Sequence, residues 1–269
     1  MTDRYLHQTH HADPQRRLGI DMGATTMKAA IVDIATGTAV TSTVVFPSPE
    51  DPDGLVAAVG QLCKRLEWRD AFGCALPSVV RGSRLSNATN LSSAWSDVDL
   101  RQRFIDGVGR APALLNDADA AGLAEIHFGG AGRDALEILL TFGTGIGSAM
   151  LAGGRLLPNS ELGELAIDGL TFEQACSART IERKGLSAAV WIAKVEPYFE
   201  ALNTLLSPVR WIIAGGLTDR YADFFGRLDT TVPVVPATLR SGAGVVGAAL
   251  AASIPTDVVP TARQLVEGQ

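Results

Sequence analysis

The stretch Ala113-Leu114-Leu115-Asn116-Asp117-Ala118-Asp119-Ala120-Ala121-Gly122-Leu123-Ala124-Glu125 passes from an apolar run straight into a helix-forming one. Ala113 to Leu115 reads as the end of a buried strand, and Ala118 to His127 has the Ala, Leu and Glu content of a helix. A strand handed directly to a helix points to an α/β protein. Asp117 stands at the junction, where the exposed N–H groups and dipole of a starting helix favour an anion. Two readings stay open on these residues alone: a carboxylate placed for chemistry, or an ordinary N-cap.

Working outward, Leu18 to Met22, Met27 to Asp33 and Ala39 to Phe46 predict an antiparallel meander, broken by Gly23-Ala24-Thr25-Thr26 and by Thr36-Gly37. Leu55, Val56, Val59, Leu62, Cys63 and Leu66 recur at helical spacing, so Asp53 to Trp68 is expected to lay one face on a sheet. Phe72 to Leu76 reads as a buried strand. The polar run from Arg81 to Asp97 is too long for a simple turn and is a candidate binding loop. Beyond Asp117, Leu136 to Phe142 and Ser148 to Leu157 predict strands around Gly143-Thr144-Gly145-Ile146-Gly147. Helices are expected at Thr171 to Lys184 and at Ser187 to Leu206, the second bent at Pro197. A strand at Trp211 to Ala214 ends in Gly215-Gly216. A helix at Asp219 to Leu228, a strand at Val232 to Val235 and a closing helix at Gly244 to Ser253 complete the pattern.

Composition narrows the function. The 269 residues, 46 % of them hydrophobic, supply one large core or two smaller ones, and 28 glycines with 6 % aromatics suit an α/β chain with many tight turns. With 23 Lys and Arg against 29 Asp and Glu, the net charge of -6 argues against nucleic acid as the main partner. Cys63, Cys74 and Cys176 lie far apart and make neither a metal pair nor a disulfide framework, which points to buried thiols in a reducing compartment. No apolar run is long enough to span a bilayer, so no membrane partner and a cytoplasmic location are expected. Residues 1–17 carry His7, His10 and His11 without hydrophobic periodicity and read as a disordered leader rather than a metal site.

The two glycine turns invite a common reading. Asp21, Gly23, Ala24, Thr25, Thr26 and Lys28 offer a carboxylate, backbone donors, two hydroxyls and an ammonium within eight residues, which suits a phosphate chain and its magnesium. Gly143 to Gly147 supply further N–H groups that approach oxyanions closely for want of a Cβ. A plain hairpin is the alternative for each. A dinucleotide fingerprint is excluded because Ser148-Ala149-Met150-Leu151 continues as strand, and no GxxxxGK[ST] loop occurs.

The chain resembles the ROK-type sugar kinases, on the two-lobed actin-like, ribonuclease-H-like α/β fold, and among them the polyphosphate-dependent glucokinases. The motifs are Gly19-Ile20-Asp21-Met22-Gly23 with Lys28, Asn116 to Glu125, Leu140 to Ser148, Pro158-Asn159-Ser160-Glu161-Leu162-Gly163, Ile167-Asp168-Gly169 and Ala243 to Ala249. The resemblance implies a magnesium-dependent phosphotransferase that makes glucose 6-phosphate from polyphosphate, ATP or both. Asp117 would be the general base. Asn90, Asn116, Glu161 and Glu173 would hydrogen-bond the other sugar hydroxyls. Asp21 would hold magnesium largely through water. Gly23, Thr25, Thr26, Lys28, Thr144 and Gly145 would face the donor phosphates, with Gly215 and Gly216 along a nucleotide or a longer phosphate chain. It further implies a homodimer and two lobes, residues 18–114 with 244–269 and residues 115–243.

Two positions depart from the family. Its Glu-x-Gly-His motif reads Glu161-Leu162-Gly163-Glu164 here, and the cysteine cluster of zinc-containing members is missing, so zinc is not expected. Glu164 still accepts from a hydroxyl but adds negative charge near Asp117 and Glu161, putting the sugar preference in question. Ala24 and Thr26 stand where glycine is usual, and their methyl groups are expected to crowd a backbone that approaches phosphate or takes a positive φ. Alternatives are an ATP-dependent kinase of another hexose or an amino sugar, and a degenerate, non-catalytic sugar-binding regulator. Only 17 residues precede Leu18, too few for the helix-turn-helix of ROK-type repressors.

Overall fold

The computed structural model describes residues 13–86, 91–96, 98–131, 135–217 and 227–254. The chain divides into two compact units, residues 1–120 with 244–269, and residues 121–243.

In the first unit, β1 (Arg16–Met22), β2 (Thr26–Asp33), β3 (Thr38–Ala39), β5 (Phe72–Leu76) and β8 (Ala113–Asn116) form a sheet in the order β3-β2-β1-β5-β8, and β4 (Val44–Pro47) also pairs with β2. The expected third strand at Ala39 to Phe46 is therefore two short ones. β1 and β2 are antiparallel, whereas β1, β5 and β8 run parallel. Helix α1 (Pro52–Arg65) begins where Asp51 Oδ1 accepts from the Gly54 N–H at 2.7 Å, has proline in its first turn and ends in Lys64 and Arg65. Its Leu55, Val59 and Leu62 are buried with Leu18, Ile20, Phe72 and Trp68, as the helical spacing predicts. Helix α2 (Leu100–Val108) adds Leu100 and Phe104 to that core.

The run from Arg81 to Asp97 is not one open loop. Val79–Arg81 (β6) and Arg84–Ser86 (β7) form a hairpin, and Ser93–Trp95 a 3-10 turn. The Trp95 ring N–H donates to the Glu50 carbonyl, so a buried anchor holds the turn. Alternation was hidden because the strands are only three residues long. Asn90 lies outside the described residues, as do the leader histidines and most of the helix expected at Asp219 to Leu228.

In the second unit, β9 (Leu136–Phe142), β10 (Ile146–Ala152), β11 (Arg155–Leu157), β14 (Arg210–Ala214) and β15 (Val234–Pro236) give the order β11-β10-β9-β14-β15. β12 (Ala166–Ile167) and β13 (Leu170–Thr171) make a small hairpin beside it. The helix expected from Thr171 to Lys184 is two helices, α4 (Phe172–Cys176) and α5 (Ala178–Lys184). Ser177 takes an extended conformation between them and caps the second. Helix α6 (Ala188–Leu206) continues through Pro197 and buries Trp191, Val195, Phe199 and Leu202 against Phe142, Phe172 and Trp211. Helix α3 (Asp117–Phe128) leads out of β8, and α7 (Ala243–Ala251) closes the described chain.

Candidate functional site

In the first unit the parallel register brings candidate side chains to one sheet edge. Asp21 pairs with Ala75, and Leu76 with Asn116, so the carboxyl ends of β1, β5 and β8 carry Asp21, Leu76 and Asn116 in adjacent positions. The carboxyl edge of parallel strands is where α/β proteins bind ligands, because helices and turns start there with unpaired N–H groups.

The β1–β2 turn holds Asp21, Gly23, Ala24, Thr25, Thr26 and Lys28 together. Asp21 and Lys28 face each other in the antiparallel register, and the Gly23 N–H donates to the Thr26 carbonyl at 3.0 Å. Ser48 clamps the turn from outside: its Oγ donates to the Gly23 carbonyl at 2.6 Å and its N–H to the Thr25 carbonyl at 3.1 Å. Thr25 and Thr26 are exposed. None of these turn residues takes a positive φ, so no positive-φ strain falls on Ala24 or Thr26. Burial pushes the Asp21 carboxyl up to about 6, with Lys28 pulling the other way.

At the β8–α3 junction Asn116, not Asp117, makes the cap. Asn116 Oδ1 accepts from the Ala118 and Asp119 N–H groups at 2.8 and 3.1 Å, while its Nδ2 donates to the Ser78 carbonyl at 3.2 Å. Asp117 Oδ1 shares the Ala118 N–H, at 2.8 Å, and its side chain is half-buried. The capping explanation for the carboxylate therefore passes to its neighbour, and Asn116 is largely committed to holding the junction. Sequence reasoning missed Ser78. It is buried, accepts from Asn116 and donates through Oγ to the Ser86 carbonyl at 2.8 Å, joining the α3 cap to the β6–β7 hairpin. No local pattern marks it.

The second unit gathers Thr144, Gly145, Glu161, Glu164 and Glu173 around the β9–β10 turn. The turn closes by a Gly143 N–H to Gly145 carbonyl bond of 2.9 Å, and Thr141 Oγ1 accepts from the Gly147 N–H at 3.1 Å. The Ala178 N–H of α5 donates to the Gly143 carbonyl at 2.9 Å. Glu173 lies beneath the turn: its Oε2 accepts from the Ile146 N–H at 3.0 Å, and its carboxylate fills the space a Gly145 Cβ would need.

Glu161 and Glu164 sit on a 3-10 turn, Leu162–Glu164, that Ser148 pins to β10. Ser148 Oγ donates to the Ser160 carbonyl at 2.8 Å and accepts from the Leu162 N–H at 3.0 Å. The signal for Ser148 was present in the sequence, a hydroxyl inside an otherwise apolar strand. Although Glu161 is exposed as a residue, burial of its carboxyl raises its pKa, and the nearby Glu164 and Glu173 carboxylates add to the rise. Gly215 ends β14 with φ +92°, its Cα against the Phe142 backbone, and Gly216 opens into free space.

A single carboxylate beside a phosphate-sized turn suits magnesium, which keeps several waters and takes donor oxygens rather than an all-protein cage. Asp21 offers that carboxylate, enclosed against Gly244 of α7 in a cradle a Cβ would fill.

Residues 17–176 match the model of the ROK family. The chain is 34% identical over 254 residues to a polyphosphate glucokinase of Mycobacterium tuberculosis (strain CDC 1551 / Oshkosh), covering 93% of this chain and 96% of that protein. A glucokinase of Streptomyces coelicolor is 28% identical over 142 residues, 52% of this chain and 44% of that one. Among solved structures, the inorganic polyphosphate/ATP-glucomannokinase of Arthrobacter sp. strain KM superposes with a TM-score of 0.83 at 36% identity, covering 87% of this chain and 97% of that chain. A ROK family glucokinase from Streptomyces griseus, in complex with glucose and AMPPNP, superposes with a TM-score of 0.72 at 23% identity, covering 87% and 98%. The fold is the two-lobed actin-like α/β fold of these kinases. The match over more than half the chain and the relative that aligns nearly end to end lead to one conclusion: the chain belongs to the ROK family.

Proposed function

We propose that the chain is a glucokinase that transfers a phosphoryl group from inorganic polyphosphate or ATP to the 6-hydroxyl of glucose. The observation that carries this reading is the β8–α3 junction. Asn116 supplies the helix cap, so the Asp117 carboxylate stands at the carboxyl edge of the sheet without having to serve as that cap. Similarity to a polyphosphate glucokinase and to a polyphosphate/ATP-glucomannokinase supports both the reaction and the choice of donors.

In this mechanism Asp117 accepts the proton of the sugar hydroxyl as its oxygen attacks the donor's terminal phosphorus, and the bond from that phosphorus to its bridging oxygen breaks, releasing the shortened polyphosphate or ADP. Phosphoryl transfer asks for position and charge neutralisation more than for covalent help. Glu161, Glu164 and Glu173, with Asn90 and the remaining amide capacity of Asn116, accept from or donate to the other hydroxyls. Glu173 at the same time holds the donor turn through Ile146. Lys28 and the N–H groups of Ala24, Thr144 and Gly145 receive donor oxygens, the Thr25 and Thr26 hydroxyls add to them, Gly23 closes the first turn through its bond to Thr26, and Gly215 and Gly216 flank the rest of the donor. Magnesium, when bound, would neutralise phosphate charge, and Asp21 would hold it. A cytoplasmic location and a homodimer belong to the same reading. Similarity to a glucomannokinase favours a second sugar, mannose, within this activity.

A coupled glucose 6-phosphate assay with magnesium, offering polyphosphate and ATP separately, tests the proposal. Activity with at least one donor that falls by about 10² to 10⁴ in Asp117→Asn is expected. No hexose phosphorylation with either donor would overturn it in favour of a sugar-binding regulator.

A further inference from the structure

We infer that Gly244 is a positioning residue for Asp21, and that the missing side chain in the first turn of α7 is what holds the Asp21 carboxylate in its working orientation. The inference rests on the proposed role of Asp21 beside the donor.

A Cβ built on Gly244 would stand 2.5 Å from Asp21 Oδ2, 2.6 Å from its Cγ and 3.0 Å from Oδ1. Both carboxylate oxygens are therefore packed on the Gly244 Cα. Helix formation does not explain this glycine. Its φ is not positive, and alanine is the better helix former.

The helix has no slack with which to relieve an added methyl. A Cβ on Gly19 of β1 would overlap the Val245 carbonyl, and one on Gly73 of β5 would overlap that of Ala248, so the α7 backbone already rests on both strands. Ala75, Ala120 and Ala248 fill the seam beneath it. Asp21 has a short side chain on a paired strand, facing Lys28. Of the groups at the contact, its carboxylate is the one free to rotate, and rotation takes it out of line with the donor turn. Two positions earlier, a Cβ on Gly242 would meet nothing within 4 Å.

Two measurements test the inference. The first is thermal melting without substrate or metal, comparing Gly244→Ala in the parent and in an Asp21→Ala background. The melting temperature is expected to fall in the parent and to hold or rise in the Asp21→Ala background, where the methyl has room. If Gly244→Ala folds only together with Asp21→Ala, the contact is equally supported. An equal fall in both backgrounds, or no folded protein in either, overturns the inference.

The second is a magnesium titration of the coupled assay. Gly244→Ala should raise the magnesium needed for half-maximal rate by on the order of 10- to 100-fold with little change in the glucose KM, while Gly242→Ala behaves as the parent. An unchanged magnesium requirement in folded Gly244→Ala overturns the inference while Asp21 keeps its role. An Asp21→Ala protein with parental rate and magnesium requirement overturns that role instead, and the melting comparison separates the two failures.

Discussion

Replacing Asn116 by alanine removes three hydrogen bonds at the point where the candidate base is mounted. Two of them cap α3, through Ala118 and Asp119, and loss of such a cap typically costs about 1 kcal/mol. The third serves the carbonyl of buried Ser78, and a buried acceptor left without its partner costs about 1–3 kcal/mol. Together the loss comes to about 2–4 kcal/mol. At about 2–4 °C per kcal/mol for a chain of this size, the melting temperature should fall by about 4–16 °C. Asn116→Ser keeps a capping oxygen but not the donor to Ser78, so it should recover the cap contribution and no more. Circular dichroism melts of the three proteins, with kcat for glucose measured well below each transition, form the assay. Both variants should also lose kcat, because the Asp117 backbone is set by the same cap. A loss below about 1 kcal/mol in Asn116→Ala, or full kcat in a destabilised variant, would refute the assignment of Asn116 as the mount of Asp117.

Three further outcomes follow from the same geometry. The pKa of Glu161 is raised on folding, so the native state binds its proton more tightly than the unfolded chain, and the residue costs stability as pH rises from the unfolded value through the folded one. Glu161→Gln should therefore melt higher than the parent at neutral pH and level with it below about pH 4, and a difference constant with pH would contradict this. Glu164→His should change the ratio of glucose to mannose kcat/KM, and an unchanged ratio would remove position 164 as a determinant of sugar choice. Gly215→Ala should lose about 1–3 kcal/mol from its positive φ alone, and more from overlap with the Phe142 backbone, measured as a fall in melting temperature; a neutral result would contradict the close approach of β14 to β9.

Much of this protein was legible in its residues because the signals are local. The spacing of Leu55, Val59 and Leu62 gives a helix face, the alternation from Leu18 to Asp33 gives a hairpin, and both glycine turns fall between strands as the pattern predicts. Local patterns failed where strands were three residues long, at β6 and β7, and where one serine, Ser177, turned a single predicted helix into two. Positive φ, one of the two outcomes expected at Ala24 and Thr26, is not found in this turn, which Ser48 clamps from beyond another strand's end.

By itself the sequence determined the α/β class, the order of the motifs and the residue types that chemistry requires, because hydrophobic periodicity and turn residues act through neighbours along the chain. Tertiary structure alone decided that Asn116 caps α3 through a tie to Ser78, 38 positions away, and that Glu173 braces the β9–β10 turn at Ile146, 27 positions away. It also decided that Gly244 leaves room for Asp21. Each of these is a hydrogen bond or a close contact between segments whose sequences do not depend on one another locally, so only packing brings them within reach.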